Sequence, residues 1–309
     1  MSLAFVFPGQ GSQSIGMLNE LAEVEPIVID TFKAASDALG YDLWDITQQG
    51  PQEKLNSTDI TQPALLAAGV ACWKVWQAKG GAMPVVLAGH SLGEYSALVC
   101  GGVLEFSDAI KLVEARGQFM QQAVPEGQGG MAAILGLDDA QVVEACKQAA
   151  EGEVLQAVNY NSPGQVVVAG NKAAIERIVT VAKEMGAKRA LPLPVSVPSH
   201  CDLMKPAAEQ LAEKLKSITF KEAVIPVINN VDVAAETDAD KIRDALVRQL
   251  FSPVRWVGTI QKMAADGVDQ LIECGPGRVL IGLNKRIDKS MSTAAVFDPA
   301  SFDKALSVE

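Results

Sequence analysis

The sequence predicts an α/β protein: a mainly parallel sheet flanked by helices, with a small subdomain inserted into it. Three observations carry that prediction. Short apolar runs alternate with helical patterns along most of the chain. One internal stretch breaks the alternation with the order βαββαβ. The 309 residues are 49% hydrophobic and 20% charged, enough for one large core and far from a disordered composition.

In chain order, Leu3–Phe7 is an apolar run stopped by Pro8-Gly9, a first strand. Gln62–Lys79 has helical spacing, and Val85–Ala88 is a second buried strand. Phe106–Val124 reads as an amphipathic helix. The alternation then breaks. After Gly127-Gln128-Gly129-Gly130 come a strand, Met131–Leu135, and a helix capped near Asp138. Strands Val154–Tyr160 and Gln165–Ala169 follow, joined by the turn sequence Asn161-Ser162-Pro163-Gly164. A helix from Ala173 to Met185 and a strand from Arg189 to Leu193 complete a ferredoxin-like subdomain spanning residues 128–197. Pro192, Pro194 and Pro198 stiffen its exit. The larger pattern resumes with strand Pro226–Asn229, helices Asp240–Leu250 and Val254–Ala265, and strands Gln270–Cys274 and Thr293–Phe297. Asp298-Pro299 opens a last helix as N-cap and first helical residue. The larger domain is therefore discontinuous, residues 1–127 and 198–309.

Composition excludes several function classes. The net charge is −11, from 26 basic and 37 acidic side chains, against a nucleic-acid partner. Five scattered cysteines without a C-x-x-C pair, and only two histidines, suggest neither a metal site nor a disulfide framework. The most apolar long window, Val85 to Leu104, is interrupted by His90 and Glu94, so no membrane span is expected. The first residues lack the basic region of a signal peptide, and the expectation is a cytoplasmic monomer with reduced thiols.

The strongest local signal for chemistry is Gly89-His90-Ser91-Leu92-Gly93, between the strand Val85–Ala88 and a helical run from Glu94. A nucleophile elbow needs that strand–turn–helix context, because the strained turn leaves no room for side chains two residues either way. Ser91 then lies at a helix N-terminus, with the Leu92 N–H aimed at a developing oxyanion. The elbow makes the larger domain hydrolase-like. In α/β hydrolases, however, the histidine comes last, and here more than a hundred residues follow His200.

Ser91 needs a base. His90 is its neighbour, but successive side chains at such a turn diverge, which leaves it a hydrogen-bonding place beneath the elbow. His200 is the base by elimination. Cys201 beside it is discounted as a nucleophile, since adjacent residues of an extended segment face opposite ways. The helix Asp240–Leu250 must stop before Pro253 with unpaired carbonyls, so one around Gln249 is a candidate to orient His200. Arg116 lies on the inward stripe of its helix with Ala109, Val113 and Met120. Helix geometry leaves two readings open, an internal salt bridge to Glu94 or Glu114 and a place for a substrate carboxylate. The loop Gly9-Gln10-Gly11-Ser12-Gln13 is close to a dinucleotide fingerprint, but Ser14 holds the third glycine position. Its Gln10 N–H can instead serve as a second oxyanion donor. Residues 171–189 carry five basic side chains against two acidic, and 278–289 carry four against one. Lys172, Lys188, Arg189, Arg278, Lys285 and Arg286 are either solvated faces or a landing area for an anionic partner.

Taken together, Gly9-Gln10-Gly11-Ser12-Gln13, Gly89-His90-Ser91-Leu92-Gly93-Glu94-Tyr95-Ser96, Arg116, Val197-Pro198-Ser199-His200 and Gly275-Pro276-Gly277 resemble the bacterial malonyl-CoA:acyl carrier protein transacylases. The resemblance covers essentially the whole chain, including Asn159-Tyr160-Asn161-Ser162-Pro163-Gly164-Gln165. It implies transfer of a malonyl group from malonyl-CoA to the phosphopantetheine thiol of acyl carrier protein, for fatty acid elongation, with no bound cofactor. It further implies that Ser91 carries the malonyl ester, His200 is the base and the Gln249 carbonyl orients it. Arg116 would bind the malonyl carboxylate, and Gln10 and Leu92 would form the oxyanion hole. The rivals are a serine thioesterase using the same pair on water and a non-catalytic carrier-binding scaffold.

Overall fold

A computed structural model describes residues 2–195 and 197–307. Met1, Val308 and Glu309 at the limits of the expected larger domain, and Ser196 in the subdomain exit, lie outside the described residues.

Two sheets organise the chain. The first is wholly parallel and contains β1 (Leu3–Phe7) and β2 (Val86–Gly89) from before the insertion. The second contains β3 (Gly129–Leu135), β4 (Leu155–Ser162), β5 (Gln165–Asn171) and β6 (Arg189–Pro192), and it is antiparallel. The chain then returns to the first sheet with β7 (Val227–Ile228), β8 (Gln270–Cys274) and β9 (Ser292–Val296). The strand orders are β7-β2-β1-β8-β9 and β4-β5-β3-β6. In the second sheet β5 lies between β3 and β4, the two strands that a helix connects, which is the split arrangement of the ferredoxin-like motif.

Parallel strands covered by helices on both faces must be apolar throughout. All residues of β1 and β8 are accordingly buried, including Glu273. That carboxylate accepts the Leu280 and Ile281 N–H groups, which have no partner inside the helix Val279–Ile287. Helix Thr58–Ala78 covers one face with Trp73 and Trp76, both edge-on to Phe5. Helices 19–24, 26–39 and 43–49 pack outside it through Leu21, Phe32 and Leu43. No helix among the described residues is long and apolar enough to cross a membrane.

The antiparallel sheet alternates. Ala132, Ile134, Val166 and Val168 face helices Asp139–Ala150 and Lys172–Glu184, whereas Met131, Val167 and Ala169 face the other way. The first of those helices begins with a full capping box between Asp138 and Gln141. Most element ends differ from the sequence reading by one or two residues, and the helix read from Gln62 starts four residues earlier, at Thr58. Pro226 and Asn229 lie outside β7, which has two residues. The helix expected from Val254 starts at Trp256, because Val254 stays extended to exchange hydrogen bonds with Val158 and Tyr160 of β4. Those bonds join β4 of the inserted sheet to the segment that precedes the helix Trp256–Ala265.

Candidate active site

The elbow forms where β2 meets the helix Gly93–Cys100. Ser91 has φ 52°, a left-handed conformation that costs a non-glycine residue about 1–3 kcal/mol and needs support from its surroundings. The flanking glycines are required by contact. A Cβ on Gly89 would lie 1.8 Å from the Gly93 carbonyl carbon, and one on Gly93 would lie 2.1 Å from the Phe7 oxygen.

Ser91 Oγ is 2.8 Å from His200 Nε2. His200 is buried and held twice by the end of the helix Ala239–Gln249. Its Nδ1 is 2.7 Å from the Gln249 carbonyl, and its N–H donates to the Leu250 carbonyl at 2.9 Å. A carbonyl only accepts, so Nδ1 carries the proton and Nε2 is free to take one from Ser91. Burial, with Arg116 as the second cause, pushes the His200 pKa down to about 3, which keeps the ring neutral. The segment is not extended at His200, whose φ is 68°. Alternation along an extended strand therefore does not set the direction of Cys201. Cys201 is set aside by its own contacts: its thiol donates to the Pro198 carbonyl, and burial pushes its pKa up to about 12.

Arg116 is 1% exposed and forms no ion pair among the described residues, so neither Glu94 nor Glu114 is its salt-bridge partner. Two neutral oxygens hold it instead, Gln62 Oε1 at 2.8 Å and Gln249 Oε1 at 2.9 Å. Its Nη2 lies 3.4 Å from Ser91 Oγ, and its Nε has no acceptor among the described residues. Tyr95 packs its ring 5.4 Å from the guanidinium carbon. The cation is thus fixed in place without being neutralised, which suits it to an incoming carboxylate.

Sequence reasoning missed the network behind these groups. Glu94 is buried, and its Oε2 accepts both the Gln249 side-chain amide and the Asn230 backbone N–H, each at 2.9 Å. Burial, opposed by those hydrogen bonds and by Arg116, raises the Glu94 pKa to about 7. Asn230 accepts from Ser91 N–H and donates to the Gly89 carbonyl, both at 2.7 Å. His90 lies under the elbow with Nε2 donating to Asn161 Oδ1 of β4 at 2.8 Å, and burial keeps it neutral. The one available signal was polar residues at the carboxyl ends of apolar strands, Asn229-Asn230 after Ile228 and Glu94 after the elbow.

Ser91, His200, Arg116 and His90 line a cavity of about 200 Å³ between the two sheets, with Glu94 and Asn230 behind its wall. Gln10, Ser91 and Leu92 enter it from loops that follow β1 and β2, Arg116 from the helix Phe106–Ala123 and His200 from its loop, and the antiparallel sheet contributes Met131, Asn159, Asn161 and Val167. Neither the Gln10 nor the Leu92 backbone N–H meets a backbone or side-chain acceptor among the described residues, so both are free to point at a ligand. The basic residues do not form one patch. Leu135 pairs with Gln165 and Arg189, and Arg286 donates to Gln165 at 2.7 Å, so Lys188, Arg189 and Arg286 gather at one end of the inserted sheet. Lys172 follows Asn171, which pairs with Gly129 at the opposite end. Arg278 stacks on Phe297, and Lys285 lies in the last turn of its helix.

Comparison with known proteins decides the family. An acyl transferase domain profile matches residues 4–297. The malonyl CoA-acyl carrier protein transacylase of Salmonella typhimurium is 63% identical over 303 residues, covering 98% of each chain. The chain belongs to the malonyl-CoA:acyl carrier protein transacylase family. A solved structure of the acyl carrier protein S-malonyltransferase from Vibrio cholerae superposes with TM-score 0.96 at 62% identity, covering 99% of this chain and 100% of that one. A malonyl-transacylase solved in complex with a type II polyketide synthase acyl-carrier protein superposes with TM-score 0.99 at 59% identity, covering 100% of both. The transacylase fold therefore extends over both sheets of this chain.

Proposed function

We propose that the protein transfers malonyl groups from malonyl-CoA to the phosphopantetheine thiol of acyl carrier protein through a malonyl-serine intermediate. The observation that carries this reading is the 2.8 Å Ser91–His200 contact with the un-neutralised Arg116 cation 3.4 Å from the same oxygen. A guanidinium that close reaches the far carboxylate of a short dicarboxylic acyl group while Ser91 reaches its thioester carbon.

His200 Nε2 takes the Ser91 proton as Oγ attacks the thioester carbonyl. The oxyanion is received by the Leu92 and Gln10 N–H groups, each worth about 3–4 kcal/mol of transition-state stabilisation. The C–S bond breaks, and His200 passes its proton to the departing thiolate of coenzyme A. The carrier thiol then enters and gives its proton to His200. Its sulfur attacks the malonyl ester, and Ser91 leaves and is reprotonated. His200 shuttles one proton in each half, a task for which its neutral state and fixed tautomer suit it. Gln249 orients His200 through its carbonyl and Arg116 through its side chain.

The division of labour is part of the proposal. Residues 1–127 and 198–309 form the catalytic unit, and 128–197 form a roof with its own apolar cluster. For the anionic carrier or the phosphates of coenzyme A, the convergence of Lys188, Arg189 and Arg286 favours that end of the roof over Lys172. Five unpaired cysteines support a cytoplasmic site of action.

Supplying malonyl-CoA and holo carrier protein and following both products tests the reading. Malonyl-carrier should form faster than free malonate. Malonate released faster than transfer would make the protein a thioesterase, and the absence of either product would make it a scaffold.

A further inference from the structure

Outside the groups that touch the acyl chain, Asn230 is the residue most directly bonded to the elbow. It follows the short strand β7, which pairs with β2, so the fold sets its side chain beside the turn. It is fully buried, and both ends of its amide are used on the elbow backbone: Oδ1 on the Ser91 N–H and Nδ2 on the Gly89 carbonyl, both at 2.7 Å. These two bonds bracket the turn from residue 89 to residue 91. A side chain that both accepts and donates is needed here, since one target is a donor and the other an acceptor.

The staple matters because Ser91 adopts a φ of 52°, which an unsupported serine leaves readily. It also occupies the Ser91 N–H, leaving Leu92 as the free backbone donor of the elbow. Asn230 is itself anchored, its own N–H donating to Glu94 Oε2 and its carbonyl accepting the Arg255 N–H at 3.1 Å. We propose that Asn230 is a positioning residue that holds the Ser91 elbow in its strained, reactive conformation and so aligns Oγ with His200. It touches neither the acyl group nor Arg116, so its contribution belongs to the chemical step and not to malonyl recognition. The inference rests on the malonyl-serine mechanism above.

Asn230→Ala and Asn230→Asp test it, with intact mass after malonyl-CoA treatment of the wild type as the check on the underlying mechanism. If the wild type takes up no malonyl group, the mechanism itself fails. If it does, Asn230→Ala should lose about 10²-fold in kcat through misalignment, with the malonyl-CoA KM within about threefold and the malonyl-over-acetyl preference unchanged. A kcat within about threefold of wild type, or a preference that collapses with kcat, would overturn the proposal.

Asn230→Asp serves should the alanine variant fail to fold. A protonated aspartic acid can reproduce both bonds, whereas the ionised form turns an acceptor against the Gly89 carbonyl. The charged and titratable groups around it are Glu94, the Asp232–Arg248 pair, Arg255, and His90, His200 and Arg116 across the elbow. Burial beside the Glu94 carboxylate favours the protonated form. The ratio of variant to wild-type kcat should therefore fall as pH rises. A ratio well below one even at the acid end, where the protonated side chain can make both bonds, would contradict the staple.

Discussion

The two sheets meet at one cavity and contribute different things to it. In the parallel sheet, β1 and β8 are buried along their whole length, and the polar groups of the site follow the carboxyl ends of β1, β2 and β7. There Ser91, Glu94 and Asn230 form a closed hydrogen-bonded set with Gln249, His200 and Arg116. In the antiparallel sheet, one face packs on its own helices, and the other presents Met131 and Val167 to the cavity, with Asn161 as its hydrogen bond to the elbow region. A sheet buried on both faces can hold charged groups rigidly at its edge, whereas a sheet with one free face can shape an apolar wall. Chemistry should therefore fail when the first sheet is altered, and fit when the second is.

The largest effect should come from His200→Ala, with transfer reduced roughly 10²–10⁴-fold while malonyl-CoA still binds, measured by steady-state kinetics beside a binding titration. Next is Arg116→Ala, which should lower the preference for malonyl over acetyl about 10²-fold in competition assays. Arg116→Lys should not restore it, because a point charge cannot replace the planar fork. A preference that survives would remove Arg116 from recognition. On the other sheet, Val167→Ala should raise the malonyl-CoA KM by about two- to fivefold and leave kcat nearly unchanged. A collapse of kcat in that variant would break the division between the sheets.

The smallest expected effect is on stability. Glu94 has a folded pKa of about 7 against an ordinary 4.5, so the unfolded chain loses this proton first as pH rises. Its contribution to stability is thus full below 4.5 and lost as pH rises through about 7. Glu94→Gln removes that dependence. Relative to wild type the variant should gain stability over this interval, as read by denaturant melts at several pH values.

How far the site was legible depends on distance along the chain. The elbow could be read because its glycines, serine and helix are contiguous. The histidine that meets Ser91 could be read because only two histidines exist, and the carbonyl that holds it because Pro253 ends a helix nearby. Gln62 could not be read, and Asn230 showed only as part of a polar pair after an apolar strand, since each acquires its meaning when packing brings it to Arg116 or the elbow. Arg116 remained ambiguous for the same reason: helix periodicity shows that it points inward but not that two glutamine oxygens meet it there. The late start of the helix at Trp256 was hidden as well, because its cause is a partner strand almost a hundred residues earlier.

Whether Ser91 carries the acyl group is read from the intact mass of the protein after brief exposure to malonyl-CoA. One malonyl adduct is expected on the wild type and none on Ser91→Ala. An unmodified wild type, or an adduct undiminished in the variant, would contradict that role of Ser91.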